Sequence, residues 1–108
     1  MQLVEKHQIT TTAMAPTMLN FVLQHPNLNK YDLSSLKLIT YGAAPMPFEV
    51  VRRAIDVFSC GLMNAYGQTE STSTMTYLGP DDHRLDGTPE ENEKKIARLR
   101  SVGRTMPD

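Results

Sequence analysis

The chain has no tryptophan and one cysteine, Cys60, in 108 residues. A lone thiol cannot close an internal disulfide, which removes the small secreted scaffolds and makes a reducing, cytoplasmic setting the expectation. Long apolar runs are missing as well. None nears the roughly 20 residues that cross a bilayer, and no charged-then-apolar start marks a secretory leader. Charge of one sign is equally scarce: 11 Lys and Arg against 12 Asp and Glu leave a net charge of -1. No basic field is available to hold nucleic acid or an anionic membrane. What is present is a globular composition, 40% apolar and 21% charged, enough for the modest core of one domain. Seven methionines are many for this length; the residue fills core gaps and adaptable binding walls.

Two stretches carry helical periodicity. Pro16 suits a first helical turn, and Met18, Leu19, Val22 and Leu23 follow on one face. That helix is expected to end before His25-Pro26, because the residue before proline resists the helical conformation. A second helix is expected from Pro47, with Val51, Ala54, Ile55 and Phe58 inward, Arg52, Arg53 and Asp56 outward, and Gly61 as its stop. Ile9 to Met14, Leu36 to Tyr41 and Leu62 to Tyr66 read as strands, apolar or β-branched. The alternation strand, helix, strand, helix, strand predicts an α/β fold of parallel strands joined by right-handed crossover helices. After Glu70 the periodicity weakens, and Gly79-Pro80 and Asp86-Gly87 are turn signals. Thr88 followed by Glu91 reads as a capping box. Glu90 and Glu91 precede Lys94 and Lys95 at the spacing of helical ion pairs. No internal repeat or domain boundary is visible.

In a parallel α/β sheet, ligands bind outside the carboxyl ends of the strands. Those ends are Met14-Ala15-Pro16, Gly42-Ala43-Ala44-Pro45 and Asn64-Ala65-Tyr66-Gly67-Gln68-Thr69-Glu70. Small residues from Gly42 to Ala44 let a flat ligand approach the backbone. The Tyr66 ring offers a stacking face for a base, and the Asn64 amide oxygen can read an exocyclic amine. Thr69 can donate to a phosphate, and Glu70 is a hard oxygen ligand of the kind Mg²⁺ prefers. No Lys or Arg lies between Arg53 and Arg84. A triphosphate here would need a bridging metal or cations from other segments.

"YGAAPMP", "NAYGQTE" and "SVGRTMP" resemble, in order and spacing, consecutive signature motifs of the acyl-adenylate-forming, AMP-binding enzymes. "APTMLNFVLQHP" and "KYDLSSLKLITYGAAP" resemble that family's approach to the first motif, so the likeness runs from Val4 to Pro107. It is greatest to bacterial fatty-acid–CoA ligases. The resemblance implies that Gly42, Ala43, Ala44 and Pro45 lie against adenine, with Ala65 and Tyr66 facing them and Asn64 bonding the adenine amino group. Thr69 and Glu70 would be the catalytic pair, Thr69 holding a phosphate of ATP or AMP and Glu70 binding Mg²⁺. Gly42, Gly67 and Gln68 would border the acyl carboxylate, and Gly103 would shape a backbone turn. Coenzyme A would be the co-substrate that accepts the acyl group from ATP-activated fatty acid. The family often has two glycines where this chain has Gly42-Ala43.

The resemblance also implies that residues 1–108 are a partial adenylation domain, a slice of the large N-terminal domain. It would lack the upstream phosphate loop, the ribose-binding aspartate, the hinge and the mobile C-terminal domain with its catalytic lysine. "SVGRTMPD" reads as a cut and not a natural terminus. Such a slice would be inactive alone and prone to homo-oligomerise through exposed sheet edges. Two other readings stay open: an adenylation domain that loads a carrier protein, and a non-catalytic interaction fragment. Asp81, Asp82, His83 and Asp86 tempt a metal reading, but they read as a solvated turn without ligand spacing. His7 and His25 read as surface residues, and Cys60 as a small buried hydrophobe.

Overall fold

Pro16 does open a helix. In the computed structural model, which describes residues 1–107, α2 spans Pro16–Gln24 and stops at His25, whose backbone is already extended. Leu19 and Leu23 are buried on its inner stripe and Val22 is half-buried. Met18, expected on that face, is instead 56% exposed, at the edge where the stripe meets solvent beside Phe21. Helix α3, Phe48–Val57, follows Pro47 and buries Val51 and Ala54, with Phe58 just beyond its end. The Arg53 guanidinium donates to the Leu23 carbonyl at 2.9 Å. One of the orphan acceptors at the end of α2 is thereby satisfied, and the two helices are tied together. A short helix that the periodicity did not announce, α1 (Gln2–His7), precedes them.

Among the described residues, five strands form one sheet in sequence order: β1 (Thr11–Met14), β2 (Leu38–Gly42), β3 (Gly61–Gln68), β4 (Ser73–Leu78) and β5 (Arg104–Thr105). The first three are parallel, with α2 and α3 as their crossovers, as the α/β pattern requires. Beyond them the sheet departs from an all-parallel arrangement: β4 runs antiparallel to β3, and β5 antiparallel to β4. The stretch after Glu70 is therefore not patternless. Ser73–Leu78 is a strand of Thr, Met and Tyr that shows no alternation, because most of its residues are half-buried on both faces. Its order comes from the β3 ladder, not from its own period.

The last helix, α4 (Pro89–Leu99), forms as its cap predicts. The Thr88 hydroxyl accepts from the Glu91 N–H at 3.3 Å, and Glu91 Oε2 accepts from the Thr88 N–H at 3.0 Å. Of the two expected ion pairs, Glu90–Lys94 is made at 2.8 Å. Lys95 turns away and donates to the Arg84 carbonyl. Ile39, Tyr41 and Leu62 from the sheet, Leu19, Leu23, Val51 and Ala54 from the helices, and Leu78 and Leu99 form one core. Among the described residues, no helix is long and apolar enough to cross a membrane.

Candidate functional site

Parallel pairing brings the three strand ends to one rim. Met14 lies opposite Tyr41, and Gly42 opposite Ala65. A Cβ on Gly42 would run into the Ala65 carbonyl, so glycine is what allows β2 and β3 to close here. Just beyond it, Ala43 is held at φ 68, the left-handed region that costs an L-residue roughly 1–2 kcal/mol. That strain turns the chain out of the sheet and into Ala44 and Pro45. On β3 the register shifts between Tyr66 and Gly67, and this bulge aims the strand end toward the tight turn Thr69–Ser71.

Three hollows run along this rim, and Ala43 and Ala65 belong to all of them. A cavity of about 320 Å³ lies between Gly42–Pro45 on one side and Asn64–Gly67 on the other, so the residues read as a nucleotide wall surround a single space. Tyr66 is 41% exposed. An open hollow of about 430 Å³ continues past Gly67, Gln68 and Thr69. A third, about 270 Å³, extends over Ala13, Met14 and Ala15 at the end of β1. Glu70 lines none of these; it sits exposed at the middle of the turn. The turn is fastened by Ser71, whose hydroxyl lies 2.8 Å from the Gln68 carbonyl and 2.9 Å from that of Ser73 and accepts from the Gln68 N–H. A larger hollow, about 630 Å³, lies at the opposite strand ends beside Gly61 and Arg84 and touches none of the expected site residues.

A cation absent from the local sequence arrives through the fold. Arg100, just past α4, lines the 320 Å³ cavity together with Ser101 and Val102. Its guanidinium lies 5.3 Å from the centroid of the Phe48 ring, within cation–π range. Sequence reasoning had no handle on Arg100, since nothing local connects it to the rim.

The Asp81–Asp86 turn corrects a second expectation. It is not uniformly solvated: Asp82 and His83 are 2% and 3% exposed. Asp82 accepts from Arg104 at 2.7 and 2.9 Å, from Arg98 at 3.4 Å and from the Gly79 N–H at 3.1 Å. Burial works to raise its pKa. The Arg104 hydrogen bond and charge, with the Gly79 and Arg98 donors, outweigh burial and hold the carboxyl below its ordinary value. His83 donates from Nδ1 to the Gly79 carbonyl at 2.8 Å, and its Nε2 lies 2.8 Å from the Tyr41 hydroxyl. Burial pushes the His83 pKa down, against the Gly79 bond and the Asp82 charge. Burial likewise lifts the Tyr41 pKa to about 12, and the neighbouring Asn64 side chain works against it. Arg104 reaches Asp82 because Gly103, at φ 92, packs its Cα onto the Tyr77 carbonyl where no side chain fits. This turn is the backbone role expected of Gly103.

Among the described residues, no three His, Cys, Asp or Glu gather to hold a metal ion. Glu70 is an exposed carboxylate engaged in none of the ion pairs of the described residues. That single free oxygen ligand fits Mg²⁺, which takes one or two carboxylates and completes its shell with phosphates and water. Cys60 packs half-buried against the core, where burial raises its thiol pKa and leaves it a poor nucleophile.

Comparison with known proteins agrees with these motifs. The family model described as AMP-binding enzyme matches residues 1–108. A medium/long-chain-fatty-acid–CoA ligase, FadD8 of Mycobacterium tuberculosis, is 36% identical over 83 residues, 77% of this chain and 14% of the relative. The solved amide bond synthetase McbA of Marinactinospora thermotolerans superposes with a TM-score of 0.81 at 32% identity, covering 98% of this chain and 19% of that one. The solved N-terminal domain of FACL13 from Mycobacterium tuberculosis shares the fold, with a TM-score of 0.67 at 24% identity over 76% of this chain and 21% of that one. The chain thus spans about a fifth or less of the length of these relatives.

Proposed function

The chain belongs to the AMP-binding enzyme family, and from that premise we propose that the complete protein is an ATP-dependent fatty-acid–CoA ligase. Residues 1–108 then contribute part of its adenylation domain. The observation that carries this reading is the rim cavity. Two small-residue and aromatic walls, Gly42–Pro45 and Asn64–Gly67, enclose one space that opens directly onto Gln68 and Thr69. Adenine fits between the Gly42–Ala44 backbone and the Tyr66 ring, with its amino group on Asn64. The α-phosphate then falls near Thr69, whose hydroxyl donates to a non-bridging oxygen. The acyl carboxylate lies along Gly42, Gly67 and Gln68.

In the first half-reaction a carboxylate oxygen attacks the α-phosphorus, the P–O bond to the β-phosphate breaks, and pyrophosphate leaves with its electron pair. In the second, the coenzyme A sulfur attacks the acyl carbon and AMP departs, giving the thioester. Glu70 would hold Mg²⁺, which would supply charge neutralisation for the phosphates. This chain's residues orient the two reactants; positioning and electrostatics carry most of the rate in such transfers.

FadD8's name supports a fatty acid and coenzyme A. A second reading draws on McbA, named as an amide bond synthetase: the same adenylate is made, but a different nucleophile receives the acyl group. Fatty-acid-dependent ATP–pyrophosphate exchange by the complete reading frame, followed by thioester formation with coenzyme A, tests both. Exchange with thioester is the expected result. Exchange without it moves the acceptor to an amine or a carrier protein, and no exchange with any fatty acid overturns the assignment.

A further inference from the structure

The 320 Å³ cavity has a third side, the corner Leu99–Val102 between α4 and β5. This corner has little of its own to hold it in place. β5 is two residues long, shorter than the usual strand. The Ser101 hydroxyl donates to the Arg98 carbonyl at 2.7 Å and accepts from the Gly103 N–H at 3.1 Å. Those bonds shape the corner without attaching it to the rest of the fold. Leu99 is buried at its start, and the Thr76 hydroxyl donates to the Val102 carbonyl at 2.5 Å. A further tie is Asp82, which takes both flanks at once. Arg98 precedes the corner and Arg104 follows it. Asp82 Oδ1 accepts from the two at 3.4 and 2.9 Å, and Oδ2 accepts from Arg104 at 2.7 Å. The Gly79 N–H fixes the same carboxylate at 3.1 Å. The next residue, His83, meets another wall: its Nε2 lies 2.8 Å from the hydroxyl of Tyr41, which lines the cavity from β2.

We propose that Asp82 is a positioning residue for the nucleotide site. By drawing Arg98 and Arg104 to one point, it seats the Leu99–Val102 corner against the cavity without touching the ligand. The inference rests on the nucleotide reading above and deepens it. A buried carboxylate gains little net stability over an apolar side chain of the same volume, because desolvation offsets the attraction. What it supplies is direction. Two guanidinium groups from either side of a bend, brought to one carboxylate, close that bend. A corner already seated costs the ligand no ordering on binding. A loose one must be ordered each time, and apparent affinity falls with the fraction seated. The effect therefore belongs to binding and not to the chemical step. It appears in KM, with the maximal rate little changed.

The test uses the complete reading frame with ATP as the probe. Pyrophosphate exchange at saturating fatty acid gives KM and maximal rate, and circular dichroism checks folding. Asp82→Asn keeps the shape and removes the charge. Arg104→Met removes the stronger donor, and Arg104→Lys keeps a positive charge in its place. A corner seated about a tenth of the time raises KM for ATP about tenfold, the rise expected for Asp82→Asn and for Arg104→Met. The double variant should rise no further, since either change alone releases the same clamp. Arg104→Lys should recover most of the loss. A purely structural role lowers the maximal rate through lost folded enzyme and leaves KM fixed. That result, or an additive double variant, overturns the proposal. Where Asp82→Asn does not fold, the Arg104 pair decides: a KM for Arg104→Met equal to the parent's overturns it. A parent with no ATP-dependent exchange overturns the nucleotide reading itself.

Discussion

The rim and the Asp82–His83 turn carry similar chemistry and use it in opposite ways. In the turn every polar group is engaged: Asp82 with Arg104, Arg98 and Gly79, and His83 with Gly79 and Tyr41. On the rim, Glu70 has no ion-pair partner among the described residues, and Tyr66 stands 41% exposed. Buried groups must satisfy one another, because an unpaired one loses its water for nothing. Groups left unpaired at a surface cavity are free to bind. The contrast separates residues that hold the fold from residues left open to a ligand, although both lie in turns at strand ends.

The largest expected effect is on the rim. On the proposed metal role, Glu70→Ala in the complete protein should lower the adenylation rate more than about a hundredfold, several kcal/mol of transition-state stabilisation. Because Glu70 is exposed and unpaired, the thermal midpoint should not move. A rate within a few-fold of the parent, or a lost fold, breaks the comparison from that side.

Next is the turn. Asp82→Ala strands Arg104 and Arg98 and should cost about 2 kcal/mol in urea unfolding. This is less than for a fully buried pair, because the two arginines are themselves 58% and 57% exposed. The pH dependence follows from the same groups. His83 and Asp82 both have folded pKa values below their ordinary ones, 6.5 and 3.8. Their stabilising contributions are thus complete above those values and lost as pH falls through the lower folded ones. Acid titration of unfolding should show stability declining below about 6.5 from His83 and again below about 4 from Asp82. Asp82→Ala should shrink the second decline and, by removing a charge that works to raise the His83 pKa, deepen the first. A parent whose stability rises on acidification contradicts the engaged-turn account.

The smallest effect sits where the two kinds of region meet. Ala43→Gly relieves the left-handed strain at φ 68 and should stabilise the chain by about 1 kcal/mol. A destabilised Ala43→Gly would mean that the strain at this rim position is not what the backbone geometry states.

Much of the parallel half was legible in the sequence. Pro16, the Leu19–Leu23 stripe and the Val51–Ala54 stripe announced their helices through local rules. The Thr88–Glu91 box did the same for α4. The expected rim residues from Gly42 to Pro45 and from Asn64 to Thr69 do line connected hollows. The rest was hidden for identifiable reasons. The strand at Ser73–Leu78 lacks alternation, since both its faces are half-covered. Met18 lies at the edge of its stripe and was placed inside it. Asp82 and His83 look like surface turn residues until Arg104 and Tyr41, far away in the chain, come to meet them.

The sequence by itself determined which segments become helices and parallel strands, and which small and polar residues end those strands. Periodicity, capping and proline rules act over a few residues and need no partner. Only the tertiary structure decided which polar groups are buried together and which stay open, and that Arg100 reaches the cavity. Burial and hydrogen-bond direction are properties of neighbours in space, and a buried donor or acceptor takes its role from whichever group the fold sets beside it.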